Sequence, residues 1–291
     1  MNSNIEIKSD NFKATISPLG AELKSVIQVS TNTEFMWQAD PIFWQRTSPV
    51  LFPIVGKVKN DLLQVNGKSF PLTQHGFARD CEFSIVQQDT SKVSLQLISS
   101  DNTLSKYPFS FKLILSYEWV EDSLICSYEV FNLGDVIMPF SIGAHPGFNL
   151  PGAALDEWKL VFADKENFTR HLLENGLFNH TTEVLGTNLN ELALNETLFD
   201  KDAIVFKNLQ STRIKLQHLK SNYGINMSFK GFPFFAVWTK KGCHHFLCLE
   251  PWYGCADDIN GHIDITKKEG IQLLPSHQKF FANYMLTFSG F

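Results

Sequence analysis

The longest regular pattern in the sequence is an alternation of apolar and polar side chains between Phe109 and Val130. Apolar residues recur at every second position up to Trp119, a Glu121-Asp122 pair interrupts the pattern, and the alternation then resumes. A period of two is typical of a strand with one buried face, and a polar interruption is typical of a turn. This stretch predicts two long antiparallel strands, and it constrains the chain to a β fold.

Shorter alternating segments occupy most of the remaining chain, and Asn66-Gly67 between two such segments predicts a tight hairpin. The sequence contains 26 Phe and has little helical periodicity. No linker or shift in composition divides its 291 residues, and all-β domains of this length are common. We predict one domain, residues 1–291, that is all-β: a large antiparallel β-sandwich of two packed sheets.

One segment departs from this pattern. Residues from Lys165 to Asp202 are polar, rich in Asn, Glu and Thr, and show only weak alternation. Within the segment, Leu189 to Phe199 has a short helical pattern. We expect the segment to shape the rim of a binding cleft.

The charge of the chain restricts its partners. The 25 basic and 30 acidic residues give a net charge of −5, and no block of basic residues occurs. This balance argues against nucleic acid or an anionic membrane as the main partner and favours a small molecule. The sequence has no apolar signal segment and no apolar run long enough to span a membrane, so we expect a cytoplasmic protein, as a monomer or a homodimer.

Four potential metal ligands lie close together in sequence. They are Cys243, His245, Cys248 and Cys255. Their spacing is not one of the common paired zinc motifs, and alternate side chains of a strand point to opposite faces. The five cysteines form no framework spacing, so reduced and buried thiols are the favoured interpretation and zinc is the alternative.

Two residues stand in settings suited to proton transfer. His145 lies among small or rigid neighbours in GAHPGFNLP, and an imidazole titrates near working pH. Glu250 precedes Pro251, and we expect it at a strand end because proline interrupts a hydrogen-bonded ladder. Desolvation by nearby aromatic residues would raise the pKa of this carboxyl toward the range of a general base. An ordinary loop histidine and a solvated glutamate are the alternatives.

Other side chains are candidates for binding. Asp202 opens a strand, and Arg46 lies in a proline-rich loop with bidentate donors. Four tryptophans suit stacking on a sugar ring, although tryptophan in a β fold more often packs the core. The four are Trp37, Trp44, Trp238 and Trp252. The sequence has no serine-hydrolase elbow, phosphate loop, zincin motif or dinucleotide fingerprint.

Five motifs, in one order, resemble those of the aldose 1-epimerase, or galactose mutarotase, family. They are Arg46 in R-x-S-P-V-L-F-P, His75 in HGFAR, His145 in GAHPGFNLP, Asp202 in DAIVF and Glu250 in LEPW. The resemblance extends over nearly the whole chain and is closest to the LacX-like branch and the hexose-6-phosphate mutarotases. It implies a β-supersandwich with a cleft on one sheet.

The resemblance also implies a function. The protein would be an isomerase that interconverts the α and β anomers of a hexose or hexose phosphate, with no metal or organic cofactor. Glu250 would act as the base and His145 as the acid, with His75 hydrogen-bonded near C1 and the ring oxygen. Arg46 and Asp202 would hold sugar hydroxyls.

The nature of the substrate stays open at this point. Related hexose-6-phosphate enzymes have a further arginine where this chain has Gly56-Lys57. Arg46, Lys57 and Arg79 together could still bind a phosphate, so a sugar and a sugar phosphate are both candidate partners. An ion pair between Arg79 and a carboxylate such as Asp80 is the alternative for that arginine.

Two other functions are compatible with the same residues. One is a catalytically silent carbohydrate-binding or sugar-sensing β-sandwich, which needs aromatic platforms but no matched acid and base. The other is a glycosidase that pairs Glu250 with Asp257 or Asp258, which requires a particular spatial separation of two carboxyl groups. The two histidine motifs favour the isomerase.

Overall fold

The computed structural model describes residues 4–152, 154–260 and 264–290. Within these ranges the chain forms 23 strands and one short α-helix, Asp101–Leu104. The strands are β1 (Ile5–Lys8), β2 (Phe12–Ser17), β3 (Glu22–Gln28), β4 (Thr33–Glu34), β5 (Val50–Leu51), β6 (Leu62–Val65), β7 (Lys68–Pro71), β8 (Ser84–Gln88), β9 (Lys92–Ile98), β10 (Phe111–Val120), β11 (Ser123–Asn132), β12 (Met138–Phe140), β13 (Ile142–Ala144), β14 (Gly147–Asn149), β15 (Trp158–Glu174), β16 (Leu177–Ala193), β17 (Ile204–Lys207), β18 (Arg213–His218), β19 (Gly224–Ser228), β20 (Phe234–Trp238), β21 (Phe246–Tyr253), β22 (Gln272–Leu274) and β23 (Lys279–Ser289). Single 3₁₀ turns span Lys59–Asp61, Ala78–Asp80, Leu155–Glu157, Glu196–Phe199 and Ile265–Lys267. No helix in the described ranges has the length and apolar character needed to cross a bilayer.

Antiparallel pairing joins 15 of these strands into one large sheet. Its main path runs β5-β13-β21-β20-β17-β15-β18-β19-β23-β11-β10-β9-β8, with β14 added to β21 and β16 added to β15. A second sheet has the order β1-β2-β3-β4, and β6-β7 and β12-β22 form small two-stranded sheets. The predicted all-β antiparallel fold is confirmed.

The four-stranded sheet packs on the β10-β11-β23 part of the large sheet. Phe12 stacks on Trp119 with ring centroids 5.5 Å apart and lies 5.9 Å from Phe288. The Tyr117 hydroxyl donates a hydrogen bond of 2.8 Å to the carbonyl oxygen of Ala21. Alternating buried positions in β2 and β10 supply this interface, as the period-two pattern predicts. The resulting layers form the predicted sandwich.

Both predicted hairpins are present. Strands β10 and β11 pair from Phe111 opposite Asn132 to Val120 opposite Ser123. Strands β6 and β7 are joined by Asn66-Gly67, and both residues have the positive φ that such a turn needs, 48° and 75°.

Residues Lys165 to Asp202 contribute Leu173, Gly176, Phe178 and Asp202 to the wall of a cavity, as expected, but the expected secondary structure was wrong. Strands β15 and β16 form a long hairpin through most of this segment, and the predicted helix at 189–199 is replaced by the end of β16 and one 3₁₀ turn. Most side chains of β16 are exposed on both faces, so burial imposes no alternation on its sequence. Register shifts between β15 and β16 interrupt the period further.

The loop that carries His75 is fixed by backbone hydrogen bonds to Phe52, the residue after β5. The Phe52 N–H donates to the His75 carbonyl, and the Phe77 and Ala78 N–H groups donate to the Phe52 carbonyl, at 3.2, 3.0 and 3.2 Å. Gly76 has φ +70°, and a Cβ atom there would lie 2.3 Å from the Phe52 carbonyl oxygen. The close crossing of the two backbones therefore requires glycine at this position.

Alanine substitutions at Gly67 and Gly76 separate two contributions to the free energy of unfolding. One is the cost of a positive φ for a residue with a Cβ atom, and the other is the cost of placing that atom at the close backbone crossing. Gly67 has φ +75°, and no atom lies within 4 Å of a Cβ built on it. We expect Gly67→Ala to lower the free energy of unfolding by about 1–2 kcal/mol, the cost of the left-handed conformation. Gly76→Ala should cost at least about 2 kcal/mol more, because the backbone has to move. Urea unfolding of the two variants measures both, and equal costs would contradict the described crossing.

Candidate active site

A cavity of about 400 Å³ opens beside β20 and β21. Its size is within the range of roughly 300–1,000 Å³ that is typical of small-molecule sites. The polar side chains in its wall are Gln74, His75, Arg79, His145, Asp202 and Glu250. Aromatic side chains in the wall are Trp44, Phe178, Trp238 and Trp252. The cavity thus combines apolar faces with a few converging polar groups.

Glu250 lies in the middle of β21, where it pairs with Ala236 of β20. The prediction that it ends a strand was wrong, because β21 continues to Tyr253. Leu249 donates its N–H to the Pro146 carbonyl at 3.2 Å. Backbone nitrogens two residues apart in a strand point to the same side, so the nitrogen of Pro251 points to the side on which Leu249 bonds to Pro146. The neighbouring strand is interrupted there, so proline at position 251 removes no hydrogen bond of the ladder.

That interruption contains His145. Strand β13 pairs with β21 at Gly143 opposite Trp252, and β14 pairs with it at Gly147 opposite Cys248. The short segment between β13 and β14 therefore lies opposite the middle of β21. The gap between two short strands thus places His145 opposite Glu250.

His145 and Glu250 are in direct contact. His145 Nε2 lies 3.3 Å from Glu250 Oε2, and their side chains are 11% and 1% exposed. The imidazole stacks on Trp44 at 4.8 Å and meets the edges of Trp238 and His75 at 5.7 and 5.6 Å between ring centroids. This packing fixes the plane of the ring while one nitrogen faces the carboxyl group.

His75 is held by two hydrogen bonds to one residue. Its backbone N–H donates to the Gly56 carbonyl at 2.8 Å, and the Gly56 N–H donates to His75 Nδ1 at 3.2 Å. Because Nδ1 accepts, the neutral ring carries its proton on Nε2. That nitrogen lies 3.2 Å from Gln74 Nε2, which can only donate, so the Gln74 amide does not accept the His75 proton in this orientation. His75 is therefore a hydrogen-bond donor toward the cavity.

Burial shifts the pKa of all three candidate catalytic groups toward the uncharged form. Desolvation, followed by the nearby Asp202, raises the pKa of Glu250 well above 4.5. Desolvation, with a smaller contribution from Arg79 and Arg46, lowers the pKa of His145 to about 3. It also lowers the pKa of His75 well below 6.5, and His145 adds to this shift. Burial therefore favours the uncharged carboxyl group of Glu250 and the uncharged imidazole of His145.

Two of the three predicted sugar-binding residues line the cavity. Asp202 lies in the turn before β17, and Arg79 donates through Nη2 to the Gln74 carbonyl at 2.7 Å. Arg46 does not belong to the wall, because its Nη2 donates to Asp80 Oδ1 at 2.7 Å in a neighbouring groove. The sequence offered an ion pair with Asp80 as the alternative role of Arg79. In the structure, Arg46 is the main partner of Asp80.

Lys57 is also outside the cavity wall. Its ammonium group lies 3.8 Å from Asp61, and its side-chain carbons lie beneath Gly176. The structure thus brings Arg79, but neither Arg46 nor Lys57, to the cavity that the three were expected to share.

The sequence analysis missed several residues of the wall. Gln74 is visible in the sequence only as the neighbour of His75, and no pattern distinguishes its role. Leu173, Gly176 and Phe178 come from the part of the β15-β16 hairpin beyond Lys165, for which the sequence predicted no strand. Of the four tryptophans, Trp44, Trp238 and Trp252 line the cavity, whereas Trp37 packs behind it against Phe246.

The zinc alternative drawn from the sequence does not have the required geometry. Within the described residues, the donor atoms of Cys243, His245 and Cys255 do not gather with that of Cys248. All five thiols are free, as predicted, and Cys243, Cys248 and Cys255 are buried. Cys248 instead lies near His145 and Glu250.

The glycosidase alternative fails because its second carboxylate is engaged elsewhere. Asp257 accepts from Lys268 Nζ at 2.6 Å in a buried ion pair, and Asp258 lies 2.8 Å from His180. Neither aspartate belongs to the cavity wall.

The ion pair of Asp257 and Lys268 instead fixes the wall. Asp257 Oδ2 accepts from the Lys59 N–H at 3.0 Å, and its backbone bonds to the Lys57 carbonyl and the Phe178 N–H at 2.8 and 2.9 Å. One side chain and its backbone therefore join the Gly56 loop, the end of β21 and the β15-β16 hairpin.

We expect Lys268→Met to lower the free energy of unfolding by about 3–5 kcal/mol, because Asp257 then stays buried without a counter-charge. The double variant Lys268→Met/Asp257→Asn should recover most of this loss, since no charge is left buried. Lys279→Met, which removes an exposed pair with Glu129, is the matched control and should cost less than about 1 kcal/mol. Equal losses for the two single variants in urea unfolding would contradict this role.

Comparisons with known proteins agree with the fold and the motifs. The family model described as aldose 1-epimerase matches residues 3–273. The chromosomal LacX protein of Lactococcus lactis is 31% identical over 285 residues, which cover 93% of this chain and 95% of that protein. A crystal structure described as a galactose mutarotase related enzyme, from Lactobacillus acidophilus, is 31% identical with a TM-score of 0.95, and the match covers 99% of this chain and 98% of that one. A galactose mutarotase-like protein from Lactobacillus casei is 28% identical with a TM-score of 0.93, covering 99% of this chain and 100% of that one. The chain therefore belongs to the aldose 1-epimerase family.

Proposed function

We propose that the protein is a mutarotase, an aldose 1-epimerase that interconverts the α and β anomers of a hexose or a hexose phosphate. The observation that carries this proposal is the contact of 3.3 Å between His145 and Glu250 in the wall of a sugar-sized cavity. A protein that only binds a sugar needs no such buried acid and base.

The chemistry requires one proton to leave the sugar and another to reach it. The C1 hydroxyl loses its proton, the C1–ring oxygen bond breaks as the C1 carbonyl forms, and the ring oxygen takes up a proton. The open chain then rotates about the C1–C2 bond, and the same steps in reverse close the ring on the other face of the carbonyl. Only proton transfers are needed, so the proposal includes no cofactor.

Glu250 and His145 can supply both transfers. The reaction needs one titratable proton between them, and that number is the same whether the proton lies on the carboxyl group or on the imidazole. The family resemblance makes Glu250 the base and His145 the acid, whereas burial favours the uncharged form of both groups. Because ring closure reverses ring opening, each group serves as acid in one direction and as base in the other.

The remaining polar residues have binding roles in this proposal. His75 donates from Nε2 toward the ring oxygen, since Gly56 occupies its Nδ1. Asp202 accepts from sugar hydroxyls, and Arg79 donates to a hydroxyl or to a phosphate oxygen. The indole faces of the cavity suit the apolar C–H face of a sugar ring.

We expect Glu250→Gln to lower the rate of anomer equilibration at least about 100-fold, since it removes a group that transfers the proton. The measurement is polarimetry or NMR on pure α-glucose, α-galactose and their 6-phosphates, each corrected for the rate in buffer. Glu166→Gln is the matched control, because Glu166 is a buried glutamate that accepts backbone hydrogen bonds from Ser211 and Gln210 outside the cavity wall.

The result separates the proposed function from simple sugar binding. Acceleration by the wild type and by Glu166→Gln, but not by Glu250→Gln, is the expected outcome. A wild type that binds one of these sugars without accelerating any of them would replace the mutarotase with a sugar-binding protein.

A matched pair of arginine variants tests the placement of the two guanidinium groups. We expect Arg79→Met to raise the KM of the preferred sugar about tenfold or more, the usual contribution of a hydrogen bond to a charged group. Arg46→Met should change KM much less, because Arg46 pairs with Asp80 outside the wall. Thermal unfolding of both variants controls for loss of the fold. A larger effect of Arg46→Met would contradict the assignment.

A further inference from the structure

Three side chains with metal-binding atoms converge beside the cavity. Cys248 and Glu250 are two residues apart on β21, so they project from the same face of the strand. His145 approaches from the segment opposite them. One donor atom from each of the three lies within 4.8 Å of the other two. A thiol, an imidazole and a carboxyl group therefore surround a common point.

Two of the three donors have the spacing of ligands on a tetrahedral ion. His145 Nε2 and Glu250 Oε2 are 3.3 Å apart. Nitrogen and oxygen ligands at about 2.0–2.1 Å from zinc are separated by roughly 3.4 Å in a tetrahedron. A thiolate sulfur at about 2.3 Å from the ion would lie roughly 3.6 Å from each of them. From the outer limit of 4.8 Å, this needs a side-chain movement of about 1 Å.

One of these donor atoms has no hydrogen-bond partner. Glu250 Oε2 is buried and accepts no hydrogen bond from the described residues. The Glu250 side chain is only 1% exposed. Buried polar atoms are nearly always paired in native proteins, so an unpaired one calls for a ligand. A cation at the common point would bind Oε2 directly.

Charge and access are also suitable. Cys248 and Glu250 can each contribute one negative charge, and together they would neutralise a divalent cation in this buried place. His145 and Glu250 line the cavity, so an ion can enter from it and keep its fourth position open to water. Sulfur and nitrogen ligands select zinc, cobalt or cadmium over magnesium and calcium.

We propose that Cys248, His145 and Glu250 bind a thiophilic divalent cation, with Zn²⁺ as the expected ion, and that this ion inhibits the protein. The bound ion would occupy the two groups that transfer protons, and it would exclude the sugar from them. The metal site itself is independent of the proposed function, because it follows from the positions of three donors. Its inhibitory effect rests on that function.

The metal site can be tested without any sugar. Co²⁺ bound to a thiolate gives a near-ultraviolet charge-transfer band, whereas Co²⁺ on surface imidazoles such as His244 and His245 does not. We expect the band in the wild type and its loss in Cys248→Ser. Cys243→Ser and Cys255→Ser are matched controls, since they replace other buried cysteines and should keep the band.

Zn²⁺ competition against bound Co²⁺ gives the affinity. Changes outside the direct ligands already weaken metal sites by about 10–100-fold, so loss of the thiolate should weaken Zn²⁺ binding by at least about tenfold. Cys248→Ala is a second variant that lacks the thiol, and it should lose the band as well. Circular dichroism of both variants shows whether either has lost its fold. A wild type without the band, or a Cys248→Ser variant that keeps it, would overturn the metal site.

The anomer assay tests the inhibition. Zn²⁺ should raise the apparent KM of the wild type and of Cys243→Ser, and a much higher concentration should be needed with Cys248→Ser. Zn²⁺ that binds at this site and leaves turnover unchanged would overturn the inhibitory role. A wild type that turns over no sugar would count against the proposed function, while the cobalt band would still decide the metal site.

Discussion

The geometry of the cavity depends on one interruption in the large sheet. Strand β21 is paired continuously with β20 on one side, but on the other side it meets two short strands, β13 and β14, with a gap between them. An unbroken neighbour would have continued the hydrogen-bonded ladder past Glu250. The gap instead allows His145 to face the carboxyl group from the next strand position. A buried acid and a buried base can therefore meet within a rigid sheet, where loops alone would position them less precisely.

Burial then determines how these groups behave. Desolvation moves the pKa of the carboxyl group up and the pKa of both imidazoles down, so burial favours the uncharged forms of the three groups. Arg79 and Asp202 also line the cavity, whereas the ion pairs of Arg46 with Asp80 and of Lys268 with Asp257 lie outside its wall. The ion pair of Lys268 and Asp257 stabilises the wall through three backbone segments, which include the loop that bonds His75. The catalytic groups are thus enclosed by a wall that a buried ion pair helps to hold in place.

The sequence was sufficient for the fold class and for most of the cavity wall. Alternation predicted the strands because most of them have one buried face, and the histidine and glutamate motifs placed His75, His145 and Glu250 in one site. Arg46 was assigned to the site as well, because its partner Asp80 is 34 residues away and only tertiary structure brings them together. Glu250 was placed at a strand end because proline normally stops a ladder, and the sequence does not reveal that the neighbouring strand is interrupted. Strand β16 was not predicted at all, since a strand exposed on both faces has no apolar period.

The long strand β16 also presents a hazard that the fold has to control. It extends over 17 residues and is hydrogen-bonded to β15 on one side, while on its other side Phe178 bonds to Asp257 and Ile259. The rest of that side resembles a template for pairing with another chain. Two residues within it, His180 and Asn188, have left-handed backbone conformations with φ of 64° and 56°, and register shifts accompany them. Such irregularities bend a strand, so the edge of β16 is not straight. The protein can therefore carry a long hairpin beside its cavity without offering a continuous edge for aggregation.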